Sequence, residues 1–175
     1  DCLCTCAEIF LDLEKSTQAL NALHTIESLK PACLHTGTSE AAFMRTLSLE
    51  GAQLYLEIDD YRRAAQLADQ ALRLETHCDP YTAFFARLII CTASIKAYES
   101  AEAVSQALRL SEIITRTPLC SLGLSAATII SDAFEGVHRI EEAIELLEQT
   151  ISRAGDSSFA RLLTALIRLT LASYY

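Results

Sequence analysis

The groups best suited to chemistry in this 175-residue chain are seven cysteines, four histidines and an excess of carboxylates. Their spacing limits what they can do. Cys2, Cys4 and Cys6 form a Cys-x-Cys-x-Cys run, but on a helix only Cys2 and Cys6 share a face, and two thiolates alone make a poor zinc site. They read as small buried hydrophobes. Cys33 with His35 falls in one interhelical linker and His77 with Cys78 in the next, and successive linkers of a helical stack lie side by side. These four are the one set that could converge on a tetrahedral zinc, although their spacing fits no known finger. The expectation is therefore no metal and no cofactor. Acid pairs such as Asp59-Asp60 and Glu141-Glu142 are adjacent, which on a helix turns them apart rather than across one substrate. Gly37, Gly51, Gly123, Gly136 and Gly155 are too scattered to cradle a phosphate, and the chain has neither a nucleophile elbow nor a His-Glu-x-x-His helix. No catalytic residue is expected, and the chain does not read as an enzyme.

Composition narrows the classes further. Hydrophobic residues make up 51% and charged residues 21%, enough apolar matter to bury a core and too little polarity for a disordered tail. A net charge of −9 argues against binding nucleic acid or an anionic membrane surface, which need concentrated Lys and Arg. The most apolar stretch, Phe159 to Tyr175, is interrupted by Arg161 and Arg168 and falls short of the ~20 apolar residues of a bilayer span. An odd number of cysteines and no secretory leader pattern point to reduced thiols and an intracellular setting, cytoplasm or nucleus. Starting at Asp1 and stopping on Tyr174-Tyr175 without a helix stop signal, the sequence reads as a segment of a longer chain.

Apolar residues recur at spacings of three and four nearly throughout, and no stretch alternates as a strand would. The expected fold is all-α, with about nine helices. Pro31 closes the second, Thr38 or Ser39 caps the third, and Asp59 or Asp60 opens the fourth. Asp79-Pro80 starts the fifth with a capping carboxylate and a proline whose missing N–H is no loss in the first turn. Ser100 caps the sixth, Gly136 breaks the chain before the eighth, and Gly155 with Asp156 separates the eighth from the ninth. Short linkers make sequential helices antiparallel neighbours.

One spacing rule fits four times: a small residue, a mostly aromatic residue three later, alanine nine beyond that, then packing residues four and seven further on. The copies are Ala7, Phe10, Ala19, Leu23, Ile26; Ala52, Tyr55, Ala64, Ala68, Ala71; Cys91, Ser94, Ala103, Ala107, Leu110; and Ser131, Phe134, Ala143, Leu147, Thr150. Two antiparallel helices approach closely only where small side chains meet, and the aromatic fills the wedge between pairs. These offsets resemble the tetratricopeptide repeat, in which a small residue, a tyrosine, an alanine and a bulky residue recur in this way. The resemblance implies a right-handed superhelical stack of antiparallel helix pairs in a single domain over 1–175. Its repeats would span about 1–31, 39–76, 80–117 and 121–155, with a half repeat at 157–175. The chain departs from the family in lacking tryptophan, in never using glycine as the small residue, and in a repeat near 40 residues rather than 34. A HEAT-like array is the structural alternative.

The family's concave face is lined by the first helix of each pair. Carried over by the spacing rule, it implies a groove formed by Glu8, Asp12, Gln53, Glu57, Thr92, Lys96, Thr128 and Asp132. Four of these are acidic, so the partner expected is a basic protein segment held by salt-sensitive attraction. The last helix offers a second surface through Phe159, Leu163, Leu166 and Ile167, for another subunit or for self-association. The segments from Cys4 to Ile9, Asp60-Tyr61 and Leu124 to Ile151 are similar to helical-repeat scaffold subunits of ubiquitin ligases of the anaphase-promoting type, which implies a structural role in a multiprotein assembly. The alternative is an effector-sensing helical-repeat domain of a large bacterial transcription activator.

Overall fold

A computed structural model describes residues 17–18, 21, 24–25, 40–74, 80–116, 121–153 and 158–174. Among them are seven α-helices and no strand: α1 (Glu40–Glu57), α2 (Tyr61–Arg73), α3 (Pro80–Lys96), α4 (Ser100–Arg116), α5 (Ser121–Glu135), α6 (Ile140–Arg153) and α7 (Ser158–Ala172). These match the third to ninth expected helices. The positions of the first copy of the spacing rule, Ala7, Phe10, Ala19, Leu23 and Ile26, lie outside the described residues, as do Asp79 and Pro31.

Three hairpin turns share one construction. α1 ends with Asp60 N–H donating to the Tyr55 carbonyl (2.9 Å) and Asp59 N–H to Leu56 (3.2 Å). α3 ends likewise with Glu99 to Ser94 (2.8 Å) and Tyr98 to Ile95 (3.1 Å), and α5 with Arg139 to Phe134 (3.0 Å) and His138 to Glu135 (2.9 Å). This is the Schellman closure, which needs a left-handed residue just past the helix. Asp59, Tyr98 and His138 supply it, at φ of 62°, 59° and 61°. The following residue opens the next helix, because the carbonyls of Asp60, Glu99 and Arg139 accept from the N–H groups of Ala64, Ala103 and Ala143. The offset of nine in the spacing rule is thus the length of this turn: the aromatic position is the carbonyl the closure uses, the left-handed residue follows four later, the opening residue five later, and the alanine nine later.

The turn corrects two expectations. The break does begin at Gly136, but its N–H still bonds in helical fashion to Asp132 (3.0 Å), and the left-handed residue is His138 rather than the glycine. Ser100 is the first residue of α4 rather than its cap, because the opening carbonyl belongs to Glu99. Asp60 does cap α2, its carboxylate accepting from Arg63 N–H at 3.2 Å.

The described residues fall into two compact units, 1–93 and 94–175, with the division inside α3 rather than at a linker. In the first, α1 packs on α2, and Ala52, Ala64 and Ala68 meet Ala86, Ile89, Ile90 and Ala93 of α3 in one buried cluster. Four consecutive residues of α3, Leu88 to Cys91, are buried, and at 100° per residue four in a row reach around the whole helix. In the second unit, α5 packs on α4 and α6, and α7 on α5 and α6. Ala127, Leu147 and Ile167 form its buried cluster, flanked by Ile151, Leu171 and Tyr174. In the second, third and fourth copies of the rule every position is buried except Tyr55, which is half-buried. Arg63 lies over the Tyr55 ring at 5.4 Å and Arg139 over Phe134 at 5.3 Å, so two of the aromatics are lidded by a guanidinium.

A left-handed backbone strains any residue with a Cβ, and Tyr98 pays this without compensating burial, being 91% exposed. Tyr98→Gly is expected to stabilise the protein by about 1 kcal/mol in urea unfolding, and Tyr98→Val to destabilise it by a similar amount.

Candidate functional site

The turn register fixes which first-helix positions are equivalent. Counting back from the left-handed residue, Gln53, Thr92 and Asp132 occupy one phase, and Glu57, Lys96 and Gly136 the next turn along. Thr128 lies a turn before this pair. Gln53 and Glu57 are both exposed, one turn apart on α1. Thr92 is half-buried and its hydroxyl donates to the Leu88 carbonyl at 2.9 Å, which leaves it a weak hook for a partner. Lys96 and Asp132 are exposed and Thr128 is half-buried. Glu8 and Asp12 lie outside the described residues.

Lys96 and Asp132 are brought within electrostatic reach of each other, in a cluster that also holds Glu135 and Tyr174. Asp132 and Glu135 stand three apart on the last turn of α5, on neighbouring positions of its surface. The Tyr174 hydroxyl, just past α7, donates to Glu135 Oε2 at 3.2 Å. Asp132 is a surface residue, yet partial burial of its carboxyl raises its pKa. The Glu135 charge raises it further, and Lys96 pulls the other way. The Tyr174 phenol is also raised, first by burial, with a hydrogen bond to Ser131 opposing and Glu135 adding to the rise. The groove charge is therefore less uniform than the sequence implies, because Lys96 partly neutralises the acidic end of α5. Glu135 and Tyr174 were missed in the sequence. Glu135 was within reach of the i, i+3 rule, whereas Tyr174 enters only through the packing of α7 on α5.

The last-helix surface needs one correction. Ile167 is 1% exposed and sits in the core with Ala127 and Leu147, since α7 turns one stripe inward onto α5 and α6. Leu166 and Leu169 are the exposed apolar residues of this helix, at 49% and 70%. The side chains of Phe159 and Leu163 lie outside the described residues, and so do Cys33, His35, His77 and Cys78. Among the described residues no group of His, Cys, Asp and Glu is arranged to hold a metal ion, and no helix is long and apolar enough to cross a membrane. Cys91 is buried and forms no disulfide.

No family model, no curated protein and no solved structure matches this chain.

The raised pKa of Asp132 has a definite sign. With a folded value above the unfolded one, the native state holds its proton more tightly. Stability contributed by this group is present below the ordinary carboxyl range and lost as pH rises through the raised pKa. Asp132→Asn is therefore expected to raise the melting temperature at pH 7, with the gain shrinking towards zero at pH well below the ordinary carboxyl range, where the Asp132 carboxyl is protonated in the folded and the unfolded chain alike. A gain independent of pH would remove the carboxylate as its cause.

Proposed function

We propose that this chain is a protein-binding scaffold of the tetratricopeptide kind, whose repeated helix hairpins hold segments of other proteins. The observation that carries the reading is the threefold recurrence of one hairpin turn with the same register of buried small residues. Such a unit exposes equivalent first-helix positions again and again, which is how repeat proteins build binding surfaces. Exposed carboxylates at Glu57, Asp132 and Glu135 favour a basic segment, and their exposure makes the attraction salt-sensitive. The cleft between α4 and α6, about 190 Å3, is below the ~300–1,000 Å3 of sites that enclose a drug-sized ligand, which favours a protein partner over a small effector at that place. The narrower reading, a scaffold subunit of a ubiquitin ligase of the anaphase-promoting type, rests on the sequence resemblance alone.

The test is capture of binding proteins on the immobilised chain, followed by titration of the recovered partner. Glu57→Lys with Asp132→Lys is expected to weaken binding about tenfold, at roughly 0.2–1 kcal/mol for each exposed charge contact removed and a further loss from the new repulsion. Raising the salt should narrow the difference. Undiminished binding by the double variant would overturn the groove. Recovery of ligase subunits would support the narrower assignment, and a partner set without them would discard it.

A further inference from the structure

The second helices of two successive hairpins, α4 and α6, flank an open cleft that the groove reading does not use. Its floor is apolar: Phe134 and Leu146 are buried there, and Leu108 forms one wall while remaining 44% exposed. Ser111 and Gln149 complete the polar edge. At one end Arg153 Nη1 donates to the Ile114 carbonyl at 2.7 Å, tying α6 to α4. At the other, Arg139 engages Glu142 through both Nε and Nη2 while its guanidinium lies over Phe134.

The size and charge of the cleft specify an occupant. About 190 Å3 is of the order of the ~150 Å3 apolar cavity that takes up benzene, so one large aliphatic or aromatic side chain would fill it. The described lining residues include two carboxylates, Glu142 and Glu145, with Arg139 and Arg153 at the two ends of the cleft. Glu142 is compensated by Arg139, but Glu145 receives only the neutral Gln149 amide, at 3.0 Å. Glu141 and Glu148 extend the exposed acidic face of α6 on either side.

We propose that the α4–α6 cleft docks a protein segment carrying one large apolar side chain flanked by lysine or arginine. The apolar side chain lies against Leu108 at the edge of Leu146, and the flanking cations face Glu145 and the acidic side of α6. This rests on the reading of the chain as a holder of protein segments, but the surface belongs to the second helices and not to the first-helix groove.

The test uses the whole chain, isotope-labelled for backbone amide NMR. The probe is a synthetic pentapeptide with one leucine between two pairs of lysines. It is expected to shift the amides around Leu108, Leu146 and Gln149. Replacing its leucine by alanine should weaken binding about tenfold, as burial of one Leu side chain implies, and replacing its lysines by glutamates should weaken it through repulsion by Glu145. Leu108→Ser and Glu145→Lys, both at exposed positions, should weaken it similarly, while Glu57→Lys should not. Absence of shifts at millimolar peptide would overturn the proposal, as would binding unaffected by Leu108→Ser and Glu145→Lys. Shifts confined to the amides of α1 and α5 would overturn the cleft while supporting the groove. Binding at the cleft alongside an intact affinity of Glu57→Lys, Asp132→Lys for its captured partner would retain the cleft and discard the groove.

Discussion

Two helix backbones come into close contact only where neither carries a bulky side chain, and in this chain alanine at 64, 103 and 143 holds the position that the spacing rule reserves for such a contact. Each is buried, and each makes the first helical hydrogen bond of its helix to the residue that opens it. The contact and the turn are therefore one device. A residue inserted into or removed from the turn would rotate the alanine off the facing helix by about 100°. The left-handed residues at 59, 98 and 138 are tolerated for this reason: local strain is accepted because the alternative is loss of the interhelical contact.

The surfaces follow from the same register. Once the turn fixes the inward stripe of each helix, its outward residues are determined, and charge collects there because few apolar residues are left to place. On α5 this brings Asp132 and Glu135 next to each other, with Lys96 and the Tyr174 hydroxyl in attendance. On α6 it sets Glu141, Glu145 and Glu148 outward while Ala143, Leu146, Leu147 and Thr150 face the core. The exposed charge of α5 and α6 is thus predominantly acidic, which is the physical basis for expecting basic partners.

Much of the helical framework could be read directly. Pro80, Asp60 and the stripe on α6 are local signals, and the small residues of the second, third and fourth copies of the spacing rule are buried. The turn itself was hidden because none of its left-handed positions is glycine. Asp59 and His138 are residues that tolerate such a backbone, but Tyr98 gives no sign of it, and the visible glycine at 136 drew attention two residues too early. The apolar richness of α7 marked the helix but not its orientation: with leucine on nearly every side, periodicity cannot choose which stripe turns inward, and packing buried Ile167 while leaving Leu166 and Leu169 out. Of the expected groove positions among the described residues, those on α1 and α3 share one register of the turn, whereas Thr128 lies a turn before it. The α4–α6 cleft combines residues from three helices, and no local pattern could have assembled it.

The close contact is tested most directly by enlarging its small side chain. Ala64→Leu, Ala103→Leu and Ala143→Leu, measured one at a time by urea unfolding, should each destabilise the protein by about 1–3 kcal/mol, the usual cost of overpacking a filled interior. Leucine at an exposed position such as Ala101 should leave stability nearly unchanged. If all three alanines accept leucine without loss, the helices are not held together where the repeated turn places them, and the account fails at its foundation.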